Sequence, residues 1–257
     1  PGSPSALLLC CPQCRDPTSP LSQLPLQGLD PKSEDAFSGE MRDFKFGRGN
    51  DDKDDAEIDN DDKDQKSIYL CVSVDLSINH ITSMRGITPR LNLVRHLDLS
   101  LNYISKMTDL HGLKELRVLK LANNDIETIE GLQMCAKLTD LDVSGNKIEV
   151  LEGLGTLKEL TTLNVSHNTL TSLTGLKDCV ALKTLAARGN KIAEIQQISN
   201  VISLTDVDLS GNEVMDLNKA ALAIKCLSNL VTLDMSGNPI AERNEYFFTI
   251  LENKWVL

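Results

Sequence analysis

The chain has 257 residues and a formal net charge of −11, with 41% hydrophobic but only 4% aromatic residues. That length allows one or two domains with an ample core, and so few aromatic side chains favour an interior of Leu, Ile and Val. The acidic balance excludes a binder of the phosphate backbone, since no surplus of cations exists to release counterions, and no apolar run approaches the roughly 20 residues that cross a bilayer.

Residues 1–66 read as a separate tail, Pro-rich and then acidic, mostly disordered. Seven of the nine prolines lie within the first 31 residues, and 15 acidic against 8 basic residues fall within 1–66. Such a segment buries too little apolar surface to offset its ordering entropy. The chain opens on Pro1-Gly2-Ser3 rather than Met, as a fragment or an appended leader does. Leu7-Leu8-Leu9-Cys10-Cys11 is too short for a signal-peptide core and follows no basic stretch. Cys10, Cys11 and Cys14 form a C-x-x-C with an extra neighbour. Structural zinc takes four ligands, commonly from two such pairs, and the other cysteines supply no second pair, so no metal is expected. The run Asp51 to Asp64 lacks the glycine and terminal glutamate of a calcium loop. Asp43-Phe44-Lys45-Phe46 reads either as a short docking motif or as cover for the edge of the folded part.

Seven cysteines, an odd number scattered through the chain, do not make a disulfide scaffold. The expected compartment is reducing: the cytoplasm, including cytoskeletal or ciliary assemblies, with the nucleus as alternative.

From residue 67 one period takes over. Asn79, Asn102, Asn124, Asn146, Asn168, Asn190, Asn212 and Asn238 are spaced by 23, 22, 22, 22, 22, 22 and 26 residues. Apolar residues stand five and three positions before each asparagine and two after it: Leu141, Val143 and Ile148 around Asn146, for example. Alternation puts one face of a short strand inward, and the asparagine suits the turn that follows. Gly86, Gly131, Gly153 and Gly175, each followed by Ile or Leu, reverse the chain before the next strand. A 22-residue unit leaves room only for a short helical or 3₁₀ return. The longer unit before Asn238 has helical composition and spacing over Leu217–Leu227. No unit buries its apolar face alone, so the units must stack. Eight strands at about 4.8 Å make a sheet roughly 34 Å long.

Leu116 to Leu132 and Leu138 to Leu154 follow L-x-x-L-x-L-x-x-N-x-I-x-x-I-x-G-L. This pattern resembles the 22-residue class of leucine-rich repeats, found in the regulatory subunit of type-1 protein phosphatase and in the outer-arm dynein light chain. The resemblance implies an α/β fold: a right-handed solenoid with a concave parallel sheet, about eight repeats over 67–238 and a C-terminal cap over 239–257. Tyr246, Phe247, Phe248, Ile250 and Leu251 look like that cap, which in this class runs on past the point where Leu257 stands. It also implies a non-enzymatic protein-binding scaffold in an axonemal or other microtubule-based assembly. The alternatives are a phosphatase regulatory subunit and, by likeness to the spliceosomal A-prime protein and to acidic nuclear repeat proteins, a ribonucleoprotein or histone-binding factor.

Neither catalysis nor a cofactor is expected. Of His80, His96, His111 and His167 only His96 takes an outward strand position, and no nucleophile accompanies it. The concave ladder is the candidate protein-binding surface: Asp75, His96, Asp98, Lys120, Asp140, Asp142, Asn164, Arg188, Asp206, Asp208 and Asp234. Neighbouring rungs lie about 5 Å apart, where like charges repel by roughly 0.8 kcal/mol in bulk water and about 3 kcal/mol at an effective dielectric of 20. Lys120, between Asp98 and Asp142, is placed to relieve both, and Arg188 to reach the C-terminal aspartates. Such a face suits a protein partner with a basic surface, without direct nucleic-acid contact or membrane insertion. Aspartate is equally a common filler at this repeat position, and that reading stays open. No Trp, Phe or Tyr takes an outward strand position, so apolar anchors come from the partner, from the rim at Tyr103, or from the tail.

Overall fold

The computed structural model describes residues 6–9, 24–25, 72–85, 91, 93–246 and 249–250. Eight three-residue strands run parallel, each paired with the next in sequence. They are β3 (Ser73–Asp75), β4 (His96–Asp98), β5 (Val118–Lys120), β6 (Asp140–Asp142), β7 (Thr162–Asn164), β8 (Thr184–Ala186), β9 (Asp206–Asp208) and β10 (Thr232–Asp234). Two further strands, β1 (Ala6–Leu9) and β2 (Leu24–Pro25), extend the sheet past β3 with antiparallel pairing. Both lie in the segment read as a tail; Cys10, Cys11, Cys14, the Phe44 and Phe46 motif and the acidic run lie outside the described residues. The expected α/β repeat solenoid with its parallel sheet is therefore present.

Alternation sets the core. The central residue of each strand from Val74 to Val207 points inward and is buried, as is the apolar residue two positions on, from Leu76 to Leu209. Leucine, isoleucine and valine dominate one continuous cluster from Val74 to Ile240. Cys135 and Cys179 take apolar positions in it, and burial pushes both thiols up to about 11.

The asparagines close each turn and also join neighbouring coils. Asn146 is buried; its Oδ1 accepts from Ile126 N at 2.9 Å, and its Nδ2 donates to Leu121 O at 2.9 Å and Val143 O at 3.0 Å. The same three-way pattern repeats from Asn102 through Asn238. Asn79, with no coil of this kind before it among the described residues, is only half-buried and donates to Leu76 O and Ser77 O. Burying an amide costs little when every polar atom is paired.

The return side carries short 3₁₀ turns at Leu132–Met134, Thr174–Asp178 and Gln196–Asn200. Gly131 enters the first of these at φ 76, and Gly153 enters the return of the next unit, which has no 3₁₀ turn, at φ 75, a conformation that glycine adopts without a Cβ penalty. The extra residues of the penultimate unit form helix α1 (Leu217–Lys225), shorter by two than its spacing suggests. Asp216 caps it, its carboxylate accepting from Lys219 N at 3.0 Å, and Leu217, Ala220, Ala221, Ala223 and Ile224 are buried. Beyond β10, Pro239–Glu242 turns over the last unit with Ile240 fully buried, and Tyr246 and Ile250 pack against the cluster. Phe247, Phe248 and Leu251 lie outside the described residues.

Candidate functional site

Two outward rows run along the sheet. Register places Ser73, His96, Val118, Asp140, Thr162, Thr184, Asp206 and Thr232 in one row, and Asp75, Asp98, Lys120, Asp142, Asn164, Ala186, Asp208 and Asp234 in the other. Every candidate residue except Arg188 therefore falls on a strand as the spacing requires. Arg188 is two residues past the end of β8 and exposed. Together these sixteen positions hold seven carboxylates against one lysine.

The second row has a local task. One side-chain oxygen of Asp75, Asp98, Asp142, Asn164, Asp208 and Asp234 accepts from the backbone N–H two residues on, at 2.8 to 3.1 Å. Ser144 and Ser210 add their hydroxyls to Asp142 and Asp208 at 2.7 and 2.6 Å. A short acceptor here satisfies an amide that the strand no longer pairs, which explains why Asp or Asn recurs. The filler reading thus has a physical basis, and the negative charge remains on the face beside it.

The first row differs. Asp206 accepts from Thr232 Oγ1 at 2.6 Å and Thr205 Oγ1 at 2.7 Å, and these hydroxyls, Thr205 first, hold its carboxyl below the usual aspartate range. Asp140 accepts from Thr139 Oγ1 at 2.6 Å. Asp234 is also held low, chiefly by the Ser236 amide and hydroxyl, with the Arg188 charge contributing. Arg188 is the smallest of these influences on Asp234, a residue of the second row, and among the described residues it makes no ion pair with Asp206, Asp208 or Asp234.

Lys120 departs from expectation. Its ammonium lies 3.7 Å from Asp98 Oδ2. Among the described residues it makes no ion pair with Asp142, which is held instead by Ser144. A single flexible ammonium settles on one neighbour, and Asp142 already has its partners. At the N-terminal end, Ser73, Asp75, His96, Asp98, Val118 and Lys120 line a hollow of about 300 Å³. Among the described residues, no group of three His, Cys, Asp or Glu is placed to hold a metal ion, and no helix is long and apolar enough to cross a membrane.

Past the strand ends runs a third column that the periodicity reading did not single out. The residue before each asparagine has positive φ in all eight repeats: Ile78, Leu101, Asn123, Gly145, His167, Gly189, Gly211 and Gly237. Glycine tolerates this conformation, whereas other L-residues lose about 1–2 kcal/mol. The signal was present in the aligned repeats, where glycine fills four of the eight places and an isoleucine or leucine does not belong.

Comparison with known proteins places the whole array. A family model described as "Leucine-rich repeat" matches residues 132–254, and a second, "Leucine rich repeat", matches residues 72–126. Among solved structures, the chain is similar to an internalin C2 of Listeria monocytogenes, at 24% identity over 67% of this chain and 84% of that one, with a TM-score of 0.53. An internalin InlF of the same bacterium matches at 24% identity over 68% of this chain and 57% of its own, with a TM-score of 0.52. The leucine-rich repeat domain of APL1B matches at 25% identity over 66% and 49%, with a TM-score of 0.58. At such identities the likeness to the internalins is one of fold. No curated protein matches.

Proposed function

The chain is a leucine-rich-repeat protein, and from that premise we propose that it is a non-enzymatic binding module whose protein partner lies on the strand face. The observation that carries this reading is the charge of that face: seven carboxylates and one lysine on sixteen outward positions. Rungs of like charge repel one another, and a basic partner surface relieves that repulsion while steering association. We place the module in an intracellular, microtubule-based assembly. The support is the resemblance of its 22-residue units to those of the outer-arm dynein light chain, together with thiols that are free at Cys135, Cys179 and Cys226. The phosphatase regulatory subunit and the nuclear acidic proteins supply the competing settings.

Affinity capture from cell extract tests the reading. The triple variant Asp140→Asn, Asp206→Asn and Asp208→Asn removes three charges yet keeps a side-chain oxygen at each position. The wild-type chain is expected to retain a basic-surfaced protein whose recovery falls with added salt and with the triple variant, at nearly unchanged melting temperature. Equal recovery by wild type and variant would contradict the proposal. The identity of the retained protein, dynein or tubulin against phosphatase or ribonucleoprotein, decides the setting.

A further inference from the structure

The first two repeats carry large apolar side chains where the backbone is suited to glycine. Ile78 and Leu101 hold the left-handed place at φ 56 and 57 and are 60% and 50% exposed. The unfavourable conformation is therefore not offset by burial of these side chains, and isoleucine is a rare occupant of that region. The two turns are neighbours, since Ile78 N donates to Ser100 O at 3.0 Å. Beside them Tyr103, 54% exposed, stacks on His80 with ring centroids 5.7 Å apart and planes 6° from parallel. Isolated exposed apolar residues are ordinary; a contiguous strip that includes an aromatic ring is a feature of interaction sites.

Charge adjoins the strip. Asp75 and Asp98 precede Ile78 and Leu101 by three residues, and both line the hollow on the strand face. Asp98 shares its charge with Lys120 at 3.7 Å, whereas Asp75 has no ion-pair partner among the described residues. Two carboxylates and three exposed apolar side chains thus fall within the same two repeats.

We propose that this strip is the anchor point of the partner: a protein segment that sets an aliphatic or aromatic side chain on Ile78, Leu101 and Tyr103 and a lysine or arginine on Asp75 and Asp98. The inference rests on the strand-face reading, which supplies the carboxylates, and adds the apolar anchor that face lacks. A segment with acidic flanks would meet like charge, and one without an apolar side chain would leave the strip in water.

The probe is a random peptide library displayed on phage and selected on the full chain. Enriched peptides are expected to pair an apolar residue with an adjacent Lys or Arg. Their affinity is expected to fall at least about tenfold in a variant carrying Ile78→Gly, Leu101→Gly and Tyr103→Ser, and severalfold in Asp75→Asn with Asp98→Asn. Glycine suits the positive φ, and asparagine keeps the acceptor for Ser77 N and Ser100 N, so both variants are expected to melt no lower than about 2 °C below wild type. A photo-crosslinking side chain at Leu101 should attach to the enriched peptide. Absence of enrichment, peptides with acidic flanks, or unchanged affinity in either variant overturns the inference. So does crosslinking at Leu101 into residues 1–66 of the same chain or into a second copy. In the capture experiment, recovery lost with the Asp140, Asp206 and Asp208 variant but kept with the strip variant overturns the anchor while sparing the strand-face reading.

Discussion

Asn146 holds two coils together with one amide, and the cost of losing it follows from the groups it leaves behind. Asn146→Leu strands the buried Ile126 N–H and takes one of two amide donors from the Leu121 and Val143 carbonyls, which keep Asn124 and Asn168 respectively. Unfolding free energy should fall by about 1–3 kcal/mol in urea titration, whereas Asn79→Ala, which strands no amide of an earlier coil among the described residues, should cost about 1 kcal/mol or less. Asp206 gives a second prediction. Its folded pKa lies below the usual value, so its contribution to stability is complete above the unfolded value of about 3.9 and is lost as pH falls through the folded value. Replacing both hydroxyl donors, Thr205→Val with Thr232→Val, should raise the Asp206 midpoint toward the ordinary value in an NMR titration of the carboxyl carbon. The sequence shows that an asparagine or aspartate belongs at these places, because the period repeats them. It does not show the bonding to a residue about 20 positions earlier in the chain, nor which hydroxyls reach Asp206, because those depend on how coils seat against each other.

At the scale of elements, three-residue strands and single 3₁₀ turns have no stability of their own and exist because the neighbours on both sides complete them. The strands were legible from alternation alone, since a one-residue slip would turn Leu141 outward and Asp142 into the core. Helix α1 was legible from its spacing, although its end was not: the helix stops at Lys225, and Leu227 is buried past it. Here Asp216 is the start signal, its carboxylate accepting from the Lys219 amide. Asp216→Ala should lower stability by about 1 kcal/mol, read as a shift in the urea midpoint with an unchanged slope. The left-handed turn column was missed for a different reason. Periodicity reports which residues are buried, and a positive φ leaves its mark only in the choice of glycine, which Ile78 and Leu101 do not show.

Over the whole molecule, one continuous core from Val74 to Ile240 fixes eight rungs in register, and the fold's consequence for function is a row of charge along the sheet. Seven carboxylates spread across coils cannot be brought together by any single repeat; the array creates the surface. The placement of ten of the eleven candidate residues on strands was readable because register follows from the spacing. The pairing of Lys120 with Asp98 alone was not, because a long side chain chooses between neighbours according to what already occupies them. Carbodiimide labelling of carboxylates, with and without the captured partner, tests the central claim most directly. The account predicts protection of Asp140, Asp206 and Asp208, with Glu149, Glu152 and Glu159 on the return segment after β6 labelled equally in both states. Protection of those three glutamates, with the strand-face aspartates unchanged, would contradict it.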